Sequence, residues 1–426
     1  MATRTITPAP GPVTGSVRPP GSKSLTNRAL AVAALADGRT TIESAGFSDD
    51  TRVMAEALRA LGIEVETDEP ARRLRVAGCG GRVPEGPKDL DTGDSGTATR
   101  FLVALVAAGR GRYRIDGSQR MRERPIQDLL DALGALGVEA RSEAGTGCPP
   151  VVMESEGLKG GEVEVRGATS SQFLSGLLLA APAAAGPVAI RVAGELVSKP
   201  FVDMTLAVMR DFGVAATREG YARFEVAAPQ VYRSRRYAVE PDASSASYFF
   251  AAAAATGGRV TVEGLARDSL QGDARFADVL EAMGCRVEWT PKGVTVEGPE
   301  RLHGIRMDMN AMPDMVLTLA PLALLARGRT VIQNVANLRV KESDRLAALA
   351  AELARLGARV DEHPDGLSIW PPPAVLSAEV RTYKDHRMAM GFSVVGLKVP
   401  GIHIAGAECV SKTYPDFFED LERLVR

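Results

Sequence analysis

A short pattern that recurs six times is the feature that most constrains how this chain can fold. Each copy is an apolar, alanine-rich run, then a glycine, then a stretch rich in β-forming residues, as in AALADGRTTI (33–42) and AAATGGRVTV (253–262). Internal repeats usually mean that one supersecondary unit is copied along the chain. The six glycines step by 71, 77, 71, 71 and 73 residues, and lie at positions 38, 109, 186, 257, 328 and 401.

A second series runs half a repeat out of phase with the first. It consists of amphipathic helices that end at a glycine and lead into a strand. The five glycines step by 75, 76, 71 and 73 residues, and lie at positions 62, 137, 213, 284 and 357. Punctuation of strands by glycine is common in α/β proteins, but two series with the same step of ~73 residues favour a true repeat. Each repeat is predicted to be strand, buried helix, strand, exposed helix, strand.

The sixth repeat reaches the end of the sequence with the helix predicted over 416–426, and its missing strand is predicted at 4–8. Six repeats divide into two groups of three, and the best hinge signals are Pro19-Pro20-Gly21 and Glu240-Pro241. Length agrees, because 426 residues correspond to two or three domains at ~150 residues each. We therefore predict one domain over 21–240 and a second over 241–426 plus 1–20.

Composition excludes several classes of partner. A formal net charge of −2 gives no basis for nucleic-acid binding, and no apolar run reaches the ~20 residues of a membrane span. The four cysteines are far apart and no HExxH is present, so neither a disulfide framework nor a metal site is expected. The first residues lack the pattern of a signal or transit peptide. We expect a cytoplasmic monomer.

Polar and basic residues are predicted at the start of each buried helix. Ser and Asp there are ordinary helix caps, and capping is the preferred interpretation of Asp242, Ser244 and Ser245. Lysine and arginine are different, because a cation at a helix N-terminus opposes the helix dipole. Cations at such positions, together with free backbone amides, predict an anion site; they are Lys23, Arg28, Arg100 and Arg387. A nucleotide P-loop is excluded, since GxxxxGK[ST] is not matched at 17–24.

At these same residues the chain resembles the 5-enolpyruvylshikimate-3-phosphate synthases. The matching stretches run through almost the whole chain in the order of the family. They are PGSKSLTNRALAVAALADG (20–38), GDSGTATR (93–100), MRERPI (121–126), TSSQFLSGLLLA (169–180), VSKPFVDMTL (197–206), PDMVLTLA (313–320), NLRVKESDRL (337–346), DHRMAM (385–390) and SKTYPDF (411–417). The resemblance implies the enolpyruvyl transferase fold, an inside-out α/β barrel of two domains with three βαβαββ repeats each.

The resemblance also implies an activity and a set of site residues. The activity is transfer of the enolpyruvyl group of phosphoenolpyruvate to the 5-hydroxyl of shikimate 3-phosphate, a step in aromatic amino acid biosynthesis that glyphosate inhibits in competition with phosphoenolpyruvate. The shikimate 3-phosphate contacts would be Lys23, Ser24, Arg28, Ser170, Ser171, Gln172, Ser198, Asp314, Asn337 and Lys341. The phosphoenolpyruvate contacts would be Lys23, Gly96, Arg124, Gln172, Arg345, His386, Arg387 and Lys412.

Taken singly, several of these residues have plainer interpretations. Arg124 alone would be a solvated surface charge, and His386 alone a structural histidine. Lys341 and Arg345 are four residues apart and share a helix face or turn, so they could form an exposed ion-pair network with neighbouring acids. Arg100 is expected to support the glycine turn, and Asp49-Asp50 to begin a helix.

Three residues depart from what is usual in the family. Asp94 stands where asparagine is usual, Phe101 where proline is common, and Phe201 where tyrosine is common. Asp94 adds negative charge beside the expected phosphoenolpyruvate site, and Phe201 removes a hydroxyl that could contact the shikimate ring.

The reaction needs a base for the attacking hydroxyl and an acid for C3 of phosphoenolpyruvate. We assign Asp314 as the base and Glu342 as the C3 proton shuttle, with Lys412 as its competitor and Lys23 as a further catalytic residue. No cofactor and no metal is required. The alternatives are an enolpyruvyl transferase acting on UDP-N-acetylglucosamine and a non-catalytic phospho-sugar binding protein on the same scaffold.

Overall fold

The structure is a computed structural model that describes residues 3–425. Over that range the chain forms twelve α-helices. They are α1 (Lys23–Leu35), α2 (Asp49–Leu61), α3 (Gly96–Val106), α4 (Gln127–Ala135), α5 (Ser171–Ala180), α6 (Lys199–Asp211), α7 (Ala243–Thr256), α8 (Phe276–Ala282), α9 (Val316–Leu322), α10 (Arg345–Arg355), α11 (His386–Gly396) and α12 (Phe417–Val425). None of these helices combines the length and the apolar character that a membrane crossing requires.

The same residues form short strands between the helices. They are β1 (Thr3–Thr5), β2 (Thr14–Val17), β3 (Arg39–Glu43), β4 (Val65–Asp68), β5 (Arg73–Ala77), β6 (Lys88–Asp91), β7 (Arg110–Asp116), β8 (Glu139–Ser142), β9 (Val151–Glu156), β10 (Gly161–Arg166), β11 (Val188–Ala193), β12 (Ala216–Glu219), β13 (Arg223–Val226), β14 (Arg236–Ala238), β15 (Arg259–Glu263), β16 (Arg286–Thr290), β17 (Gly293–Glu297), β18 (Leu302–His303), β19 (Arg306–Asp308), β20 (Ala326–Arg327), β21 (Thr330–Gln333), β22 (Arg359–His363), β23 (Gly366–Trp370), β24 (Ala378–Arg381) and β25 (Ile402–Ala405).

The third repeat shows the unit that is copied. It runs β10, α5, β11, α6, β12, β13, and its sheet has the order β10-β11-β13-β12. β10 and β11 are parallel, so helix α5 must cross between them. β13 is antiparallel to both of its neighbours, β11 and β12. Other sheets repeat this order, for example β6-β7-β9-β8 and β19-β21-β23-β22, which confirms the βαβαββ repeat.

The chain divides into two compact units, one of residues 21–239 and one of residues 1–20 with 240–426. In the unit of residues 21–239, β14 supplies the first strand of the first repeat by pairing with β3. In the other unit, β2 supplies the first strand of the fourth repeat by pairing with β15. Glu240, which the sequence placed in the first domain, belongs to the second unit. There its carboxylate accepts hydrogen bonds from Ser269 and Gln271.

The sixth repeat is closed by the N-terminal segment. β1 is antiparallel to β25, with Thr3 opposite Ala405, in a three-stranded sheet of order β1-β25-β24. β1 therefore takes the place that the last strand has in the other repeats. The strand predicted over 4–8 is present, but it begins one residue earlier and ends three residues earlier.

Two kinds of helix alternate along the chain for a simple reason of composition. The inner helices are rich in apolar residues and buried on almost all sides, and α7 (ASSASYFFAAAAAT) is buried over its whole length. A helix of that kind is stable only inside a core. The outer helices bury one face and end at the second series of glycines, which all have left-handed φ angles of 87° to 108°. Glycine adopts this conformation without a Cβ clash, so this part of the sequence pattern is confirmed.

Candidate active site

Five of the six inner helices begin with a polar N-cap a few residues after a strand. Each of these side chains accepts a hydrogen bond from a backbone N–H in the first turn, which is the usual role of Ser and Asp at this position. The caps are Ser22, Ser95, Ser170, Asp242 and Asp385. Eight of the seventeen predicted site residues lie within two positions of these caps. The predicted residues are divided between the two units.

In the unit that contains 240–426, the predicted residues converge on one carboxylate. Asp314 Oδ1 lies 2.8 Å from Arg345 Nη1 and 3.8 Å from Lys341 Nζ, and its Oδ2 lies 3.3 Å from Arg387 Nη2. Glu342 Oε2 lies 2.9 Å from Arg345 Nη2. We call these five side chains the Asp314 cluster. They come from three segments of the chain that are 27 to 73 residues apart in sequence.

Arg345 is the most enclosed member of the cluster, with its side chain 1% exposed. Asp385 binds it through both carboxylate oxygens, with Nε–Oδ2 at 2.7 Å and Nη2–Oδ1 at 3.2 Å. Asp385 is itself fully buried and also caps α11. A buried bidentate pair of this kind fixes the plane of the guanidinium, so Asp385 determines where Arg345 presents its remaining N–H groups.

Arg387 is anchored by side chains from α7. Its Nη2 donates to Ser244 Oγ at 3.1 Å and its Nη1 to Tyr248 Oη at 3.4 Å. The expectation that Ser244 is a helix cap is wrong. Asp242 caps α7, and the Ser244 hydroxyl donates to Asp242 while accepting from Arg387. His386, 1% exposed, has its Nδ1 3.5 Å from Asp385 Oδ1.

The surrounding charges determine the protonation of the cluster. Burial by itself would raise the pKa of Asp314, but the cations Lys341, Arg387 and Arg345 hold it well below its usual range. Burial likewise disfavours the charged form of Arg345, yet its carboxylate partners hold its pKa well above the usual value. At neutral pH the cluster is therefore an ionised carboxylate among fixed cations.

A further carboxyl that the sequence did not single out faces this cluster. Asp273, 6% exposed, lies in the short 3-10 helix Gly272–Arg275. Burial, followed by the charge of Asp314, raises the pKa of Asp273 to about 7. The charged form of Asp273 is thus disfavoured, as expected where acids are crowded together.

Other predicted residues of this unit are buried but lie at separate positions on short 3-10 helices. Asn337, 7% exposed, is on Ala336–Val340, and Lys412, 8% exposed, ends Ala407–Lys412. Lys341 and Arg345 do not share one helix, because α10 begins at Arg345. They share a turn, and both reach the same oxygen of Asp314.

In the unit of residues 21–239, Arg28 is the deepest cation. It is 2% exposed, and its donors bind Thr205 Oγ1 (2.8 Å) and the carbonyls of Ser24 (3.0 Å) and Phe201 (2.9 Å). The rings of Phe101 and Phe201 lie 5.3 and 5.9 Å from its guanidinium carbon.

Burial lowers the pKa of Arg28 to about 9, so it remains a cation at neutral pH. No carboxylate among residues 3–425 forms an ion pair with Arg28. A buried charge without an opposite charge is costly, so an anion bound near Arg28 would be strongly stabilised.

Lys23 is the first residue of α1, and its Nζ lies 3.0 Å from Asp50 Oδ2. Asp49 and Asp50 begin α2, as predicted. Asp50 was missed as a partner of Lys23, and no local pattern would have shown it, because the two residues belong to successive helices.

Gly96 is pressed against Arg124. A Cβ built on Gly96 would lie 2.7 Å from Arg124 Nη2, and Arg124 is only 5% exposed. The surface interpretation of Arg124 is therefore wrong. Arg100 donates to the Gly96 carbonyl at 3.3 Å, which confirms its expected role in supporting this turn. Asp94 is exposed and accepts a hydrogen bond from Ser118.

The remaining predicted residues of this unit lie at two helix starts. Gln172 Nε2 donates to Thr97 Oγ1 at 3.2 Å, which joins α5 to the turn that carries Gly96. Ser170 caps α5, and Ser171 is its first residue. Ser198, 3% exposed, precedes α6 with φ at 55°. A non-glycine residue in this left-handed region is strained, and such strain concentrates at functional sites.

Residues 3–425 contain no group of three or more His, Cys, Asp or Glu side chains able to hold a metal ion.

Two units of three βαβαββ repeats, with buried arginines around a carboxylate, define the enolpyruvyl transferase class. The structure superposes on the enolpyruvyl transferase NikO from Streptomyces tendae with a TM-score of 0.79 at 22% identity, covering 99% of this chain and 97% of the other. It superposes on the EPSP synthase of Acinetobacter baumannii with a TM-score of 0.82 at 27% identity, covering 99% and 98%.

The sequence comparisons give the family. The profile of EPSP synthase (3-phosphoshikimate 1-carboxyvinyltransferase) matches residues 8–421. The 3-phosphoshikimate 1-carboxyvinyltransferase of Sulfurovum sp. is 48% identical over 97% of both chains. The chloroplastic 3-phosphoshikimate 1-carboxyvinyltransferase of Solanum lycopersicum is 48% identical over 96% of this chain and 82% of its own length. The chain belongs to the EPSP synthase family of enzymes.

Proposed function

We propose that the chain transfers the enolpyruvyl group of phosphoenolpyruvate to the 5-hydroxyl of shikimate 3-phosphate and releases phosphate. The observation that carries this proposal is the Asp314 cluster, in which Lys341, Arg345 and Arg387 approach one ionised carboxylate. Both substrates carry a phosphate and a carboxylate, so fixed cations can bind them while the carboxylate serves proton transfer.

In the first step the 5-hydroxyl oxygen attacks C2 of phosphoenolpyruvate while C3 gains a proton. Asp314 takes the hydroxyl proton, and Glu342 or Lys412 supplies the proton to C3. In the second step C3 returns a proton and the C2–O bond to phosphate breaks, which leaves the enolpyruvyl ether. No electrons are gained or lost overall, and the reaction needs no redox group.

Without substrates, the neighbouring cations hold the pKa of Asp314 low, which makes this carboxylate a weak base. We propose that the substrates' anionic groups bind those cations and add negative charge nearby. Both effects raise the pKa of Asp314 toward neutrality, where a general base is most efficient. The carboxylate would thus become a good base only when the substrates are present.

The buried cations are proposed to hold the anionic groups. Arg345 and Arg387 are oriented by Asp385 and by Ser244, and belong to the phosphoenolpyruvate set given above. Arg28 lies 3.0 Å from the Ser24 carbonyl, and both belong to the shikimate 3-phosphate set. Because these cations are held by several hydrogen bonds each, little side-chain entropy would be lost on binding.

The alternatives have less support. The relatives described above are named for 3-phosphoshikimate, which does not favour UDP-N-acetylglucosamine as the acceptor. A non-catalytic binding protein would gain nothing from acids among its cations. We also propose that the protein is a monomer and that it acts in the cytoplasm. The second proposal is supported by the four cysteines, which are all free thiols, as suits a reducing compartment.

A phosphate-release assay tests the proposal. Phosphoenolpyruvate is supplied with shikimate 3-phosphate or with UDP-N-acetylglucosamine, each with and without EDTA. We expect phosphate only with shikimate 3-phosphate, at the same rate with the chelator. Release with UDP-N-acetylglucosamine alone would overturn the choice of acceptor, and loss of activity in EDTA that zinc restores would overturn the metal-free mechanism.

A further inference from the structure

The turn between β24 and α11 holds two successive non-glycine residues in the left-handed region. Tyr383 has φ at 55° and Lys384 has φ at 57°. Residues with a Cβ are strained in this conformation, and they keep it only when surrounding contacts enforce it. The next residue along the chain is Asp385, which binds Arg345.

A buried carboxylate enforces this turn. Glu352, 0% exposed, lies on α10. Its Oε1 accepts from the Tyr383 hydroxyl at 2.8 Å, and its Oε2 accepts from the backbone N–H of Arg381 at 3.1 Å. Arg355 Nε donates to the same Oε2 at 3.0 Å. A fully buried carboxylate is costly unless it is paired, and here two of its partners, Arg381 and Tyr383, lie in the strand end and the turn.

One helix therefore holds the turn at two points. Arg345 begins α10 and binds Asp385, while Glu352 lies seven residues later and binds Arg381 and Tyr383. Residues i and i+7 lie on the same face of a helix, so one face of α10 fixes both ends of the segment 381–385. That segment leads directly into Arg387 of the Asp314 cluster.

We propose that Glu352 and Tyr383 are positioning residues for the phosphoenolpyruvate-binding arginines. They act through the strained turn on Asp385, and through Asp385 on Arg345 and the start of α11. This inference rests on the proposed function, because phosphoenolpyruvate is the ligand only under that proposal. It assigns a role to two residues outside the predicted site, one of them about two helical turns away from Arg345 along α10.

Tyr383→Phe removes only the hydroxyl and is the first test. We expect the KM for phosphoenolpyruvate to rise at least fivefold while the KM for shikimate 3-phosphate stays within twofold. Tyr221→Phe is the matched control, because Tyr221 also donates to a carboxylate, that of Asp203, in the other unit. Unchanged kinetics in Tyr383→Phe would overturn the inference.

Tyr383→Gly separates positioning from simple stabilisation. Glycine relieves the strain but leaves Glu352 without one hydrogen bond. Because these effects oppose each other, we expect a folded variant with a melting temperature near the native value and a raised KM for phosphoenolpyruvate. A merely structural tyrosine would give a stable variant with native KM, which would overturn the inference. Glu352→Gln, if folded, should show the same selective rise.

Titration calorimetry with phosphoenolpyruvate provides a readout that needs no turnover. If the native chain releases no phosphate with shikimate 3-phosphate, the proposed function fails. Weaker phosphoenolpyruvate binding in Tyr383→Phe than in Tyr221→Phe would still support the positioning role, and equal binding in the two variants would overturn it.

Discussion

The β6–α3 turn (residues 92–96) and the β24–α11 turn (residues 382–386) occupy the same place in two different repeats and share a backbone plan. Thr92 and Thr382 each donate through Oγ1 at 2.8 Å to the carbonyl that ends the neighbouring strand. In each turn the N–H of the cap residue donates back to that threonine's carbonyl, at 2.9 and 2.8 Å. The left-handed position after the threonine is Gly93 in one turn and Tyr383 in the other.

The difference shows two ways to make the same turn. Glycine adopts φ near 50° freely, whereas Tyr383 costs on the order of 1–3 kcal/mol and is held by Glu352. The caps differ as well, since Ser95 is a hydroxyl and Asp385 is a buried carboxyl that pairs with Arg345. The glycine turn leaves space that Arg124 fills. The tyrosine turn instead fixes an arginine from another helix.

The largest expected effect comes from replacing Asp385, the cap of the β24–α11 turn, by serine, the cap residue of the β6–α3 turn. Asp385→Ser keeps a capping hydroxyl but leaves Arg345 without its bidentate partner. Breaking a buried ion pair in this way costs about 3–5 kcal/mol, which chemical denaturation would measure. Asp361→Asn is the control, because its pair with Arg359 is exposed and should matter by less than ~0.5 kcal/mol. Equal effects in the two variants would contradict the assigned role of Asp385.

The next largest effect is expected from removing either acid of the Asp314 cluster. Asp314→Asn and Glu342→Ala should each lower kcat by ~10²-fold or more, equivalent to about 2.7 kcal/mol, with much smaller changes in KM. Steady-state phosphate release measures both. Asp278→Asn, whose pair with Arg275 is exposed, should keep the native rate. A tenfold loss of affinity with native kcat would make these acids binding residues.

A smaller effect tests the space in the glycine turn. Gly96→Ala would place a methyl group against the Arg124 guanidinium, so the arginine must shift. We expect the KM for phosphoenolpyruvate to rise about tenfold, or 1.4 kcal/mol, and inhibition by glyphosate to weaken. Gly134→Ala is the control, since a Cβ there meets nothing within 4 Å. Native KM and native glyphosate inhibition in Gly96→Ala would contradict the placement of phosphoenolpyruvate beside Gly96.

The two turns also show how far the sequence alone could lead. Glycines with positive φ end the outer helices at Gly62, Gly137 and the equivalent positions of later repeats. The spacing of one residue type was therefore enough to predict the repeat. Cations at helix starts indicated the site because they oppose the helix dipole. Asp385 and Ser244 were missed as partners of Arg345 and Arg387 because those contacts join segments 40 and 143 residues apart. Only the packing of distant repeats determines such pairs.

The smallest expected effects are changes in the free energy of unfolding when one left-handed residue of each turn is substituted. A Cβ on Gly93 would meet Val53 at 3.7 Å, an ordinary contact, so Gly93→Ala pays only for its left-handed φ of 49°. We expect a loss of about 1 kcal/mol in the free energy of unfolding.

Lys384→Gly is the reverse change, since it relieves a left-handed residue and leaves the Tyr383–Glu352 hydrogen bond in place. The relieved strain should raise the free energy of unfolding of this variant by up to ~1 kcal/mol. The conformational entropy that glycine adds to the unfolded chain reduces this gain. Denaturant unfolding of both variants at constant slope measures the two values. A loss on Lys384→Gly as large as that on Gly93→Ala would mean that the lysine conformation carries no strain.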